Sequence, residues 1–205
     1  MNLLFLGGSN TDCRHSFDPR NLGYGYVGMI ARKLEASDSR LEISNKGIDG
    51  FTSARVKGMW QNLPEEEKER YDIVTVLAGI NDLGMWMEKG VLRNTPEESL
   101  DLFARTFQEL IIDILDYGIP RLILMEPFLF PVPARYRLWL PWLSRMSGRI
   151  RNLAEYYGLS FIPLQQRLNR EAEKLGYGRL TPDGIHLTEE GHRILADAWM
   201  EEAGI

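Results

Sequence analysis

Short apolar runs alternate along the chain with longer amphipathic segments. The runs lie at residues 3–6, 41–43, 73–77, 122–125 and 159–162. Most of them are continuously apolar, which is typical of parallel strands that helices cover on both faces. Because strand and helix signals take turns, the pattern predicts an α/β protein with a parallel sheet and right-handed crossovers.

The clearest helix signal begins at Thr95. Thr95 suits the N-cap, Pro96 suits the first helical position, and Glu98 completes a capping box. An apolar stripe at helical spacing follows, formed by Leu100, Phe103, Phe107, Leu110, Ile111 and Ile114. Further helices are predicted near residues 24–36, 53–62, 142–157 and 188–202. No linker or internal repeat interrupts the pattern, so we expect one domain over residues 1–205.

Composition narrows the range of partners. The 205 residues are 44% hydrophobic, enough for a full core, and carry a net charge of −5 without a basic block, so nucleic acid is not an expected partner. No stretch approaches the roughly 20 apolar residues of a membrane helix, and the N-terminus lacks a signal-peptide pattern. The single cysteine, Cys13, fits a reducing compartment. We therefore expect a cytoplasmic protein with no membrane partner.

Segment 128–142, FLFPVPARYRLWLPW, is the least regular part of the chain. It combines three prolines with several large apolar residues. Large exposed apolar patches usually mark an interface. The segment is predicted either to cover a substrate or to join two subunits, and on this ground we expect a homo-oligomer.

Candidate chemistry lies in the turns that follow the predicted strands. Ligands of an open α/β sheet bind beyond the carboxyl ends of its strands. The polar residues found there are Ser9 in GGSNTD, Gly47 in NKGIDG, Asn81 in GIND, and Asp183 with His186 in DGIH. Each also has an ordinary interpretation as a turn, a helix cap or a surface ion pair. Their shared position after strands favours one common site.

Taken together, these residue types have complementary roles. A serine hydroxyl needs a base before it becomes a nucleophile, and His186 suits that role. Asp183 would hold the imidazole tautomer and stabilise its protonated form. The tetrahedral intermediate of an ester needs hydrogen-bond donors, and the N–H groups of Ser9 and Gly47 and the Asn81 amide are the candidates. No Gly-Lys-Ser/Thr follows the glycines, which argues against P-loop nucleotide binding.

The four blocks resemble those of the SGNH (GDSL-type) hydrolases, a family named for a Ser, a Gly, an Asn and a His. The resemblance runs from residue 3 to about residue 199, in the family's order. It implies a three-layer α/β/α, flavodoxin-like sandwich with a five-stranded parallel sheet. It also implies ester hydrolysis without metal or other cofactor. The catalytic residues would be Ser9, Asp183 and His186, and the oxyanion hole would be formed by Ser9, Gly47 and Asn81.

Other stretches resemble the xylan acetylesterase-like, or carbohydrate deacetylase, branch of that family. They are FLGGSNTDCR, LGYGYVGMI, NKGIDGFT, AGINDLGMW and ILMEPF. The implied activity is hydrolysis of short-chain acyl esters, above all acetyl esters, of a small molecule or oligosaccharide through an acyl-enzyme.

One departure concerns the first block, which usually reads Gly-Asp-Ser and here has Gly8 instead of the aspartate. A glycine is expected to loosen the serine turn. Either activity is reduced, or Asp12 or Asp49 compensates.

Asp12, Tyr26, Phe51, Trp86 and Phe128 are candidate substrate-binding residues. Aromatic faces stack on sugar rings, although most aromatic residues belong to the core. Two alternative functions stay open. One is a lipase, lysophospholipase or thioesterase with a long acyl groove. The other is a catalytically weakened carbohydrate-binding homologue.

Overall fold

The computed structural model describes residues 1–35, 41–88 and 95–205. Its strands are β1 (Asn2–Gly7), β2 (Glu42–Gly47), β3 (Ile73–Leu77), β4 (Arg121–Met125) and β5 (Ser160–Ile162). All of them pair in parallel, in the order β2-β1-β3-β4-β5. This is the flavodoxin-like order, and it confirms the predicted strands and the predicted parallel sheet.

Helices connect the strands and cover both faces of the sheet. They are α1 (Ser9–Asp12), α2 (Tyr26–Glu35), α3 (Ser53–Gln61), α4 (Glu65–Lys68), α5 (Ile80–Glu88), α6 (Pro96–Leu115), α7 (Leu140–Tyr157), α8 (Gln165–Leu175), α9 (Tyr177–Leu180) and α10 (Glu189–Ala203). Helices α2, α8 and α10 pack on one face, and α3, α6 and α7 pack on the other. The predicted α/β/α sandwich is confirmed. Within the described residues, no helix combines the length and apolarity needed to span a membrane.

The two cores share the strands between them. Successive strand residues point to opposite faces of a sheet, so Leu4 and Leu6 pack in one core while Leu3 and Phe5 pack in the other. These four side chains are fully buried. The strand ends that carry the site are therefore held from both faces.

The start of α6 has the capping box that the sequence predicts. Thr95 Oγ1 accepts the Glu98 N–H at 3.2 Å, and the Glu98 carboxylate accepts the Thr95 N–H at 2.7 Å. These two contacts satisfy backbone groups that a helix start otherwise leaves unpaired.

Segment 128–142 buries several of its large side chains and exposes others. Phe128, Leu129, Phe130 and Trp139 are at most 4% exposed and contribute to both cores, whereas Leu138 is 72% exposed. Much of the apolar surface of the segment therefore packs into the cores, while its predicted role in covering a substrate or joining two subunits stays a prediction. The homo-oligomer that was inferred from it stays a prediction.

Candidate active site

The site lies where the strand order reverses, between the carboxyl ends of β1 and β3. Ligands of doubly wound sheets bind at such a point. Ser9 begins α1 after β1, and Asn81 lies in the first turn of α5 after β3. Ser9 borders both an open cleft of about 850 Å³ and a recess of about 20 Å³. His186 lines the cleft and Asn81 lines the recess.

His186 and Asp183 form a hydrogen-bonded pair before α10. His186 Nδ1 lies 2.6 Å from Asp183 Oδ2, and Asp183 Oδ1 accepts the N–H groups of Ile185 at 2.9 Å and His186 at 2.8 Å. Burial raises the pKa of Asp183, but these hydrogen bonds outweigh it and hold the pKa below its ordinary value. The ionised Asp183 keeps the imidazole proton on Nδ1, so Nε2 is the ring atom left to accept a proton.

Ser9 shares the cleft with this pair. It is partly exposed, and its N–H, at the start of α1, has no acceptor among the described residues. No hydrogen bond joins its hydroxyl to His186 in this structure. Such contacts are often long in free enzymes and shorten when substrate binds. The structure thus brings the predicted nucleophile and the predicted base to one cleft.

Asn81 directs its side-chain amide toward the serine turn. Its Nδ2 donates to the Phe51 carbonyl at 3.0 Å, which leaves one of the two amide N–H donors available. A Cβ built on Gly8 would lie 2.9 Å from this Nδ2. The Asn81 amide therefore occupies the space where a side chain at position 8 would begin.

Gly47 does not supply the predicted oxyanion donor. Its buried N–H already donates to Asn45 Oδ1 at 2.9 Å. A Cβ on Gly47 would lie 2.1 Å from the backbone nitrogen of Asp12, so no side chain fits there. Gly47 does allow the predicted close approach to its backbone, but the group that approaches it is the backbone of α1 and not an oxyanion. The assignment of Gly47 as an oxyanion donor is therefore wrong.

Gly50, the second glycine of NKGIDG, is better placed to donate. It is exposed, and its N–H has no acceptor within the described parts of the chain. Asp49 on one side lines the cleft and Phe51 on the other lines the recess, and Ser9 borders both spaces. In the sequence, the only sign of a donor at position 50 is the glycine itself, and the prediction assigned the donor to Gly47 instead.

Asp12 links the serine helix to the loop after β2. Its Oδ2 accepts the Asp49 N–H at 3.1 Å, and its Oδ1 accepts the His15 N–H at 3.2 Å and contacts His15 Nδ1 at 2.8 Å. Asp12 also lines the cleft, where it was predicted to bind substrate. Asp12 thus braces the loops around Ser9, which is the role expected of a carboxylate that compensates for the aspartate missing at position 8.

The four aromatic candidates divide into two pairs. Phe51 and Phe128 line the recess beside Ser9. Tyr26 is fully buried, with its hydroxyl 3.1 Å from Thr11 Oγ1. Trp86 packs against Phe103 of α6 with the ring centroids 6.1 Å apart, and it lines neither space that borders Ser9. The predicted substrate contact of Tyr26 is therefore wrong, because its side chain is fully buried in the core. The predicted contact of Trp86, which is partly exposed, stays a prediction.

His192 occupies a buried position behind the cleft. The Tyr26 N–H donates to its Nδ1 at 3.3 Å, so the proton of the neutral ring lies on Nε2, 3.4 Å from Cys13 Sγ. Burial lowers the pKa of His192 to about 4, and the charge of His186 adds to the effect. His192 is thus a neutral packing residue and not a second base.

No group of three or more His, Cys, Asp or Glu side chains in the described residues is arranged to hold a metal ion. The chemistry that can be read from the site is that of a hydroxyl, an imidazole, a carboxylate and several N–H donors.

Comparisons with known proteins concern the chain as a whole. Residues 5–194 match the model of the GDSL-like Lipase/Acylhydrolase family. An acetylxylan esterase from Geobacillus stearothermophilus is 27% identical over 98% of this chain and 93% of its own length. A putative GDSL-like lipase from Parabacteroides merdae, 23% identical, superimposes with a TM-score of 0.88 over 99% of this chain and 95% of its own, a likeness that concerns the fold.

The crystal structure of Axe2, an acetylxylan esterase from Geobacillus stearothermophilus, superimposes with a TM-score of 0.81 at 27% identity. The match covers 100% of this chain and 94% of Axe2. Solved catalytic mutants of Axe2 replace a serine, an aspartate or a histidine with alanine, and in Axe2 the last two are three residues apart. Asp183 and His186 have the same spacing.

Proposed function

The chain belongs to the GDSL-like lipase/acylhydrolase family and is a carboxylic ester hydrolase, and from this premise we propose that it removes short acyl groups, above all acetyl groups, from a carbohydrate. Ser9 is the nucleophile, His186 the general base and Asp183 the residue that orients His186. The observation that carries the proposal is the Asp183–His186 pair at 2.6 Å on the cleft that Ser9 borders.

The reaction proceeds in two steps. His186 Nε2 takes the hydroxyl proton as Ser9 Oγ bonds to the ester carbonyl carbon. The resulting oxyanion accepts hydrogen bonds from the N–H groups of Ser9 and Gly50 and from the Asn81 amide. The carbon–oxygen bond to the sugar then breaks, and His186 gives its proton to the leaving sugar oxygen. Water, deprotonated by His186, attacks the acyl-Ser9 ester and releases the carboxylic acid and free Ser9.

The recess supports a short acyl group. Its volume is about 20 Å³, far less than the roughly 850 Å³ of the cleft. Phe51, Pro127 and Phe128 are among the residues that line it. A methyl group fits this space, whereas a long acyl chain requires these side chains to move.

The cleft supports a carbohydrate leaving group. At about 850 Å³ it is far larger than an acetyl group needs. Phe17, 79% exposed, and Tyr24, 53% exposed, line it and offer aromatic faces on which sugar rings stack. The acetylxylan esterases that this chain resembles are named for acetylated xylan, which agrees with such a leaving group.

The test is hydrolysis of 4-nitrophenyl acetate and 4-nitrophenyl octanoate by wild type and by Ser9→Ala. We expect wild type to prefer the acetate and Ser9→Ala to lose turnover of both esters. Preference for octanoate would favour the lipase-type alternative. A folded wild type that is inert toward both esters, and toward acetylated xylo-oligosaccharides, would favour the carbohydrate-binding alternative.

A further inference from the structure

Asn10 joins the nucleophile to the loop of the base. It follows Ser9 in α1 and is only 7% exposed. Its Nδ2 donates to the Ile185 carbonyl at 3.0 Å, and its Oδ1 accepts the Leu187 N–H at 3.0 Å. One amide therefore holds the residue before His186 and the residue after it.

One backbone contact, from the Phe130 N–H to the Gly184 carbonyl at 2.9 Å, ties this loop to the segment after β4. Apart from it and the two contacts of Asn10, the hydrogen bonds of residues 183–187 are internal to the loop. Asp183 Oδ1 accepts the N–H groups of Ile185 and His186, and Thr181 Oγ1 donates to the His186 carbonyl at 2.6 Å. These contacts fix the shape of the loop but not its place relative to Ser9. Among the described residues, Asn10 is the only side chain of α1 that hydrogen-bonds residues 185–187.

We propose that Asn10 is a positioning residue that holds His186 at working distance from Ser9. The inference rests on the proposed function. Ser9 and Asn10 are adjacent in one short helix. Any shift of that helix therefore moves the nucleophile together with the Asn10 amide, which holds the loop that carries His186. Gly8 has no side chain with which to brace the turn before Ser9. The two hydrogen bonds of Asn10 connect this turn to the His186 loop instead.

The expected loss of rate follows from how strongly the reaction depends on the distance between the reacting groups. A displacement of about 1 Å between reacting groups costs up to roughly 10²-fold in rate. Asn10→Ala removes both hydrogen bonds. The loop then keeps its internal shape but is no longer held at a fixed distance from Ser9. We expect kcat to fall roughly 10–100-fold. KM should change less than about twofold, because Asn10, although it borders the cleft, is only 7% exposed and offers substrate little surface.

The pH profile separates positioning from a direct effect on the base. Asp183 and His186 stay paired within the loop in Asn10→Ala, so the midpoint of the acid limb of kcat stays where it is in wild type and only the plateau drops. Asp183→Asn removes the partner of His186 and moves both the midpoint and the plateau. Asn10→Asp is the conservative variant. It can still accept the Leu187 N–H but cannot donate to Ile185, and its kcat should lie between those of wild type and Asn10→Ala.

Thr75→Val is the matched control for lost stability. Thr75 is fully buried, and its Oγ1 accepts the Trp199 Nε1–H at 2.9 Å. Neither residue lines the cleft or the recess. This variant breaks a buried hydrogen bond and should leave kcat unchanged. Native-state hydrogen exchange of the Leu187 N–H gives a second readout that does not depend on activity, and we expect it to accelerate in Asn10→Ala but not in Thr75→Val.

The outcomes are distinct. A lower plateau with an unmoved midpoint and faster Leu187 exchange supports the proposal. Unchanged kcat in Asn10→Ala, or a loss no larger than that of Thr75→Val, overturns it, whatever the exchange rate. If Ser9→Ala retains wild-type turnover, the proposed function itself has failed. If Ser9→Ala is inactive and Asn10→Ala is fully active, only the role of Asn10 has failed.

Discussion

At the residue scale, the structure agrees better with the predicted side chains of the site than with its predicted backbone donors. Residue type and order predict Ser9, Asp183 and His186. The structure brings Ser9 and His186 to one cleft and pairs Asp183 with His186. The donor given to Gly47 was wrong because the Asn45 side chain folds back onto that N–H, a local conformation that composition and spacing do not encode.

The sequence also did not predict the two hydrogen bonds of Asn10 to the His186 loop. An asparagine in a polar turn looks ordinary, and its two contacts are 175 and 177 residues away in the chain. Only the folded structure reveals that they flank His186.

A first prediction at this scale concerns Asn81. If its amide donates to the oxyanion, Asn81→Ala lowers kcat by roughly 10²–10³-fold with little effect on the unfolding midpoint. Asn62→Ala is the control, since Asn62 Nδ2 also donates to a backbone carbonyl, that of Gly58, on an exposed surface. Steady-state kinetics with 4-nitrophenyl acetate give the answer, and a near wild-type rate for Asn81→Ala would remove it from the oxyanion hole.

At the scale of elements, periodicity predicted the long helices and all five strands. It missed α1, α4 and α9, which have four residues each and are too short to show a helical period. The nine-residue α5 was missed as well. It also missed α8, where buried apolar positions are reduced to Leu168 and Ala172. The serine helix, the element that matters most for the site, therefore had to come from the structure.

The contact between α1 and β2 gives a prediction for two glycines. Gly47→Ala places a Cβ against the backbone of Asp12, so α1 must shift, and the variant should lose about 1–3 kcal/mol of stability together with most of its activity. Gly58→Ala, within α3, meets no atom within 4 Å and should gain about 0.4–1 kcal/mol with unchanged activity. Urea unfolding and kinetics on both variants test this, and equal effects would contradict the described packing.

The cap of α6 gives a prediction that separates stability from function. Thr95→Ala removes the acceptor for the Glu98 N–H and should cost about 0.5–2 kcal/mol in the free energy of unfolding. Since Thr95 does not border Ser9, kcat should not change. Denaturant titration and an ester assay on the same preparation check both halves, and an activity loss at full folding would show that α6 influences the site.

At the scale of the whole molecule, two buried groups give stability opposite dependences on pH. Burial lowers the pKa of His192 from 6.5 to about 4, so the unfolded chain binds that proton more tightly and stability falls as pH drops from 6.5 to 4. Burial raises the pKa of Asp82 from 3.8 to about 6, despite its hydrogen bonds from the Ser53 N–H and hydroxyl. Its contribution is therefore full below pH 3.8 and is lost as pH rises through 6.

These opposing effects predict how Asp82→Asn behaves. The amide oxygen can accept the Ser53 N–H, and the amide nitrogen can donate to the Ser53 hydroxyl, which then acts as the acceptor. Because the amide does not titrate, the effect of His192 is no longer offset. Because about two pH units separate the folded and unfolded pKa values of Asp82, the variant should lose on the order of 3 kcal/mol more than wild type between pH 7 and pH 4. Urea unfolding at both pH values measures this, and parallel losses would show that Asp82 does not titrate in that range.

The most direct test of the whole account is covalent labelling of the nucleophile. A fluorophosphonate forms a stable adduct with a serine that a base has activated. We predict one adduct per chain on the peptide that contains Ser9, none in Ser9→Ala, and much slower labelling in His186→Ala. Labelling of a different residue, or rapid ester turnover by a protein whose Ser9 stays unlabelled, would contradict the central claim.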